Sequence, residues 1–129
     1  MLIKYKSDYQ KITMGLLSYV PDLKDTTRLT NEMQWYEQEE NRQLYLWKSQ
    51  ETGDLAGVIG IEDEEEIVLL RHIAINPSYR EEGMAFRMLT ALSRICSPKK
   101  IVGTLETAPL VTKWKKKPIE MSKAGTAYE

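Results

Sequence analysis

A chain of 129 residues, 42% hydrophobic and 29% charged, is one domain's worth, with room for a single buried core. Its net charge of −1 gives no long-range pull toward nucleic acid or an anionic membrane, and no apolar run approaches the ~18–20 residues that span a bilayer. The single cysteine, Cys96, excludes an internal disulfide and a multi-cysteine metal site, and fits a reducing, cytoplasmic setting.

Leu2–Lys6 suits a short edge strand. Ser7 with Gln10 three residues on has the pattern of a capping box, and Tyr9, Ile12, Leu16 and Tyr19 follow at helical spacing until Pro21. Asp25 is the expected N-cap of a second helix whose inner face carries Leu29, Met33 and Tyr36. Tyr19, Trp35 and Tyr36 read first as packing residues and only second as cleft-wall contacts. Gln43–Lys48 and Leu55–Glu62 read as strands joined by a hairpin loop, with Gly53 where φ turns positive. Asp63–Glu66 reads as a solvated acidic turn. It lacks the spaced ligands and interior glycine of a calcium loop, and no metal is expected.

Ile67–Ile75 is the next predicted strand, ending at Asn76-Pro77, and Gly83 opens an amphipathic helix. A strand leading through a loop into a helix N-terminus is an anion site. The first-turn N–H groups lack intrahelical partners and the positive end of the dipole lies there. Gly83 permits close approach of the backbone to a bound oxyanion, so the stretch reads as a phosphate or pyrophosphate cradle. The helix places Ala85, Met88, Leu89, Leu92 and Ile95 on one face and stops at Pro98. Ile101–Leu105 reads as a short strand, and Ala108–Lys117 as a helix with Leu110, Val111 and Trp114 inward, closed by Pro118. The domain is expected to span residues 1–120, with 121–129 a flexible tail. The element order predicts an α/β layer with a mixed sheet.

Arg80-Glu81-Glu82-Gly83-Met84-Ala85 resembles the Q/R-x-x-G-x-G/A signature of the GCN5-related N-acetyltransferases (GNAT), preceded as in that family by an apolar strand and a turn with proline. The stretches MLIKYKSDYQKITMGLLSYVPDLKD and QLYLWK are also similar to the small RibT-like group of bacterial riboflavin operons, and the likeness covers roughly residues 1–115. The resemblance implies an α/β (α+β) fold with a mixed, mostly antiparallel sheet flanked by helices. Here the C-terminus is too short for the usual final hairpin. It implies acetyl-coenzyme A as donor and an amine of a small molecule or protein as acceptor. It places the pantetheine arm along the backbone of Ile73, Ala74 and Ile75, and the pyrophosphate on the amides of Arg80, Glu81, Glu82, Gly83, Met84 and Ala85. A sheet edge left open by the short C-terminus would favour a homodimer. The alternative is a coenzyme A-binding module without catalysis, regulating or scaffolding a partner. No basic face supports nucleic-acid binding.

Acetyl transfer from a thioester needs alignment of the reactants, a deprotonated amine and a proton for the departing thiolate. His72, the only histidine, and Glu62, ending the neighbouring strand, are the candidate catalytic residues. Family members often use a tyrosine in the helix after the fifth strand as general acid, and Ala108–Lys117 contains none. Cys96 reads as a buried, inert thiol. Glu81 and Glu82 oppose a pyrophosphate, a repulsion screened over a Debye length of ~8 Å. Replacing them by glycine and lysine is expected to tighten acetyl-coenzyme A binding in calorimetry. Unchanged or weaker binding would count against this placement of the loop.

Overall fold

The computed structural model of the chain describes residues 1–79 and 83–116. Five strands form one sheet in sequence order: β1 Leu2–Lys4, β2 Arg42–Lys48, β3 Leu55–Asp63, β4 Ile67–Ile75 and β5 Lys100–Gly103. β1 through β4 pair antiparallel, and β4 pairs with β5 in parallel. The central strand β3 is a nearly continuous apolar run and is buried along Ala56–Ile61 because helices cover both faces of the sheet. On one side lie α1 (Gln10–Leu17) and α2 (Thr26–Gln38), and on the other α3 (Met84–Cys96) and α4 (Ala108–Lys116). Each face closes over its own apolar cluster. Leu17, Met33 and Leu46 anchor the first, and Ile59, Met88 and Leu89 the second. The predicted mixed, mostly antiparallel sheet flanked by helices is the fold observed. The end of the expected domain and its expected tail lie outside the described residues.

Several local expectations hold. The Asp25 carboxylate accepts from the Thr27 N–H at 2.8 Å, capping α2, and Gly53 has φ 79°. Others are corrected. The capping box does not form: Ser7–Tyr9 is a 3-10 turn, and the Gln10 side-chain amide donates instead to Glu37 at 3.2 Å. Helix α1 buries Thr13, Leu16 and Leu17, so the buried stripe rotates toward the adjacent leucines, and Ile12 and Tyr19 stand exposed. In α3 the buried stripe is Met84, Met88, Leu89 and Leu92. Ile95, expected inward, is exposed, and Ala85 is only partly covered.

One irregularity sets which way the centre of β4 faces. Gly60 pairs with His72 but Ile61 pairs with Leu70, so Arg71 is an extra, unpaired residue on β4. Side chains alternate along a strand, and one inserted residue reverses the alternation. Val68 and Leu70 therefore pack on the α3 side, whereas His72 and Ala74 turn toward α2. Without the bulge, His72 would point into the core beneath α3.

Candidate active site

β4 and β5 pair only from Ile67 opposite Lys100 to Leu70 opposite Gly103. There β5 ends in the turn Thr104–Thr107, while β4 runs on to Ile75. Thr107 splints the fork. Its buried hydroxyl donates to the Leu70 carbonyl at 2.8 Å and accepts from the Thr104 N–H at 2.9 Å. Beyond the fork, β4 has β3 on one side and, among the described residues, no strand on the other. The Asn76 N–H donates to the Ala56 carbonyl at 2.8 Å. In an antiparallel ladder, alternate residues point their main-chain groups the same way. Ala74 thus bonds toward β3, and Ile73 and Ile75 direct N–H and C=O into the gap.

That gap is one wall of a cleft of about 820 Å³. Ile73, Ala74 and Ile75 all line it, and consecutive strand residues share a wall only where that wall is the strand's edge. The opposite wall is the α1–α2 connection, with Tyr19 and Leu23, and one face of α2, with Arg28, Glu32 and Trp35. Thr104, Glu106 and Leu110 close one end. At the other end the chain leaves β4 through a 3-10 turn, Pro77–Tyr79. Asn76 Oδ1, which accepts from the Ser78 N–H at 2.9 Å, holds that turn, and the Tyr79 hydroxyl donates to the Asp54 carboxylate. Gly83 caps α3 with φ 88°, a left-handed conformation that costs glycine nothing, and it has no side chain to occupy the first-turn amides.

Where β4 bulges, charge gathers. Arg42 lies 3.5 Å from Glu32 and 3.6 Å from Glu62, and Arg71 lies 3.3 Å from Glu62. The Arg42 guanidinium also stacks over the Trp35 ring, 4.9 Å from its centroid. Beside this network the Tyr36 hydroxyl meets His72 Nδ1 at 2.6 Å. The ring of Tyr36 passes directly over Gly60: a Cβ there would sit 2.1 Å from the phenolic oxygen. Burial, then Glu32, pushes the Tyr36 phenol far up, so it keeps its proton. Burial, then Arg71 and Arg42, pulls His72 down to about 4, against a smaller opposing pull from Glu106. The imidazole is therefore neutral at physiological pH, and its 4.0 Å approach to Glu32 through Nε2 is not an ion pair there.

The sequence profile of the acetyltransferase (GNAT) domain matches residues 16–109, most of the chain. The chain belongs to the GNAT acetyltransferase family. An N-acetyltransferase of Bacillus methanolicus, described as uncharacterized and placed in the lysA 3′ region, is 43% identical over 114 residues, 88% of this chain and 93% of its own. Solved structures share the fold at low identity. The aminoglycoside N-acetyltransferase AAC(6′)-Iy in complex with CoA superposes with TM-score 0.67 at 13% identity, over 90% of this chain and 84% of that one. A ribosomal-protein-alanine N-acetyltransferase from Brucella melitensis biovar Abortus 2308 gives 0.61 at 18%, over 81% and 78%.

In this acetyltransferase, His72, Ile73, Ala74, Ile75 and Ala85 come together on the cleft. Gly83 and Met84 form the start of α3, with the Met84 side chain buried in the core. Arg80, Glu81 and Glu82 lie outside the described residues. Glu62 is not on the cleft wall; it stands behind Arg71, which is. Cys96 is part-buried and away from the cleft, and burial pushes its thiol up, which keeps it protonated. Sequence reasoning missed Glu32, Arg71, Glu106 and Thr107, and it missed the partnership of Tyr36 with His72. Two signals were present. Glu32 and Tyr36 are four apart on one helix and so share a face, and Arg71-His72 are adjacent polar residues that break an apolar strand, as a bulge does.

Proposed function

We propose that this acetyltransferase transfers the acetyl group of acetyl-coenzyme A to an amine of a small molecule or protein that enters the cleft from the α1–α2 side. The observation that carries the reading is the unpaired edge of β4 beyond Leu70. An extended pantetheine arm can pair there like an added strand, with the Ile73 and Ile75 main-chain groups as its partners. Its pyrophosphate then falls toward the loop entering α3, and its thioester toward the bulge at Arg71 and His72. His72 is the catalytic residue of this reading, placed where the reacting groups meet. Glu62 acts through Arg71, which it holds at the wall. Both reactants held in one cleft make a bimolecular step local, which is most of what thioester aminolysis requires.

Tyr19 and Trp35 stand about half exposed on the acceptor wall and offer flat surfaces to a bound amine. The likeness to the riboflavin-operon group supports an acceptor connected with riboflavin metabolism. Helix α4 carries no tyrosine, which favours, as a second reading, coenzyme A binding without turnover.

Calorimetry with acetyl-coenzyme A, followed by thiol release against an amine library, separates these. Binding with release establishes the enzyme, binding without release supports the module, and absence of binding ends both. Gly83→Val is expected to weaken binding at least tenfold, because a β-branched residue at φ 88° must shift the backbone that opens α3. Equal affinity would remove the loop from the donor site.

A further inference from the structure

The structure assigns Tyr36 as the positioning residue of His72: its hydroxyl donates to Nδ1 and thereby turns Nε2–H, a donor, toward Glu32 and the cleft. This inference rests on the reading of His72 as an active-site residue. Two observations made at different atoms lead to it. Among the described residues the Tyr36 hydroxyl has no hydrogen-bond partner other than His72 Nδ1, at 2.6 Å. A buried phenol that retains its proton must place it on an acceptor, so Nδ1 supplies the lone pair and Nε2 carries the hydrogen. At the far side of the ring, Nε2 faces the Glu32 carboxylate at 4.0 Å, which electrostatics favours for an N–H and disfavours for a lone pair.

The arrangement is built, not incidental. The rings of Tyr36 and His72 meet edge to face, with centroids 5.7 Å apart at 67°. Tyr36 reaches that position only because β3 carries Gly60 directly beneath it, and His72 is turned to meet it only because β4 carries an extra residue at Arg71. Three separate strands and helices thus converge on one tautomer. Tyr36 itself does not line the cleft; His72 does.

The chemical consequence is a division of labour. With Nδ1 occupied and Nε2 protonated, His72 offers the cleft a hydrogen bond and no basic lone pair. A proton taken from an acceptor ammonium on this side goes to a carboxylate, with Glu32 nearest the imidazole. A water accepting from Nε2–H and donating to Glu32 fits the separation between them.

His72 is the sole histidine, so every imidazole signal of the unliganded protein belongs to it. A long-range proton–nitrogen correlation spectrum at neutral pH is expected to show one Nε2–H tautomer in the wild type and a mixture of tautomers in Tyr36→Phe. The groups that face the ring are Tyr36 and Glu32 from α2, Arg42 from β2, Arg71 from β4 and Glu106 from the β5–α4 turn. Removing the phenolic donor leaves the rest in place. It withdraws a bond to the neutral imidazole, so the titration of His72 moves up toward its ordinary range. An Nδ1–H tautomer in the wild type overturns the assignment by itself, even if the variant does not fold. An unchanged spectrum and titration in a folded Tyr36→Phe also overturns it. The measurement needs neither donor nor acceptor, so its failure is distinct from failure of acetyl-coenzyme A to bind.

Discussion

Alanine at Gly60 is expected to lower the unfolding free energy by about 2–4 kcal/mol, the combined scale of overpacking and of one broken buried hydrogen bond. The new methyl carbon would lie 2.1 Å from the Tyr36 oxygen and 2.5 Å from Cζ. Neither atom is the end of a flexible chain; the ring is wedged between α2 and the sheet and is only 6% exposed. Relief requires α2 to lift or the ring to swing out, and either motion separates the hydroxyl from His72 Nδ1. Urea denaturation at neutral pH should show a lower midpoint with an unchanged slope. An unfolding free energy within about 0.5 kcal/mol of the wild type would mean that the tyrosine is free to move, and the close packing described above would be wrong. Acetyl transfer should fall with it even under conditions where the variant remains folded, because the imidazole loses its fixed orientation.

The second large effect is on acid stability. The folded-state value of His72 is depressed, from 6.5 to about 4. A depressed value means that the unfolded chain binds the proton more readily than the folded one. The contribution is therefore fully present above pH 6.5 and is lost as pH falls toward 4. The side chain is well buried, at 11% exposed, so solvent screening removes little of it. Its scale is about 3 kcal/mol across that window. Carboxylates also titrate below pH 5, so the comparison is between the wild type and His72→Gln, whose amide oxygen still accepts from Tyr36. The wild type should lose about 3 kcal/mol more than the variant between pH 7 and pH 4. Equal losses would mean that the imidazole is as free to protonate in the fold as in the open chain.

Much of the architecture was legible because apolar periodicity and turn chemistry agree. The predicted Ile67–Ile75 strand has those same limits, the Asp25 cap forms, and the inner face of α2 is Leu29, Met33 and Tyr36. The errors have physical causes. Tyr9, Ile12, Leu16 and Tyr19 satisfy a helical period, but α1 ends at Leu17, and two adjacent leucines draw the stripe toward themselves. Ile95 fits the period of α3, yet it stands half exposed at the rim of a shallow hollow over β2 and β3, where Gln43, Tyr45 and Ile61 line the floor without closing over it.

The site was legible along its backbone and obscure in its side chains. Strand, loop and glycine mark where the main-chain contacts of the proposed donor site would lie, because such contacts depend on local geometry. The Tyr36–His72 pair depends on a single extra residue in β4 and on an absent side chain in β3. A pattern of polar and apolar letters cannot count strand register across a sheet, so the adjacent polar residues Arg71 and His72 hint at a bulge without telling which face each later residue takes. Glu32 and Glu106 likewise reach the cleft from elements far apart in the chain.

The fork between β4 and β5 has an evolutionary corollary. A rim made of peptide groups is indifferent to most substitutions, since any strand-forming residue at positions 73 or 75 supplies the same N–H and C=O. The facing wall, made of side chains from α2 and the loop before it, has no such tolerance. In the proposed reading, lineages could exchange one acceptor for another by redrawing a few helix positions while the main-chain rim persists, and structural kinship would outlast overall similarity of sequence in such molecules.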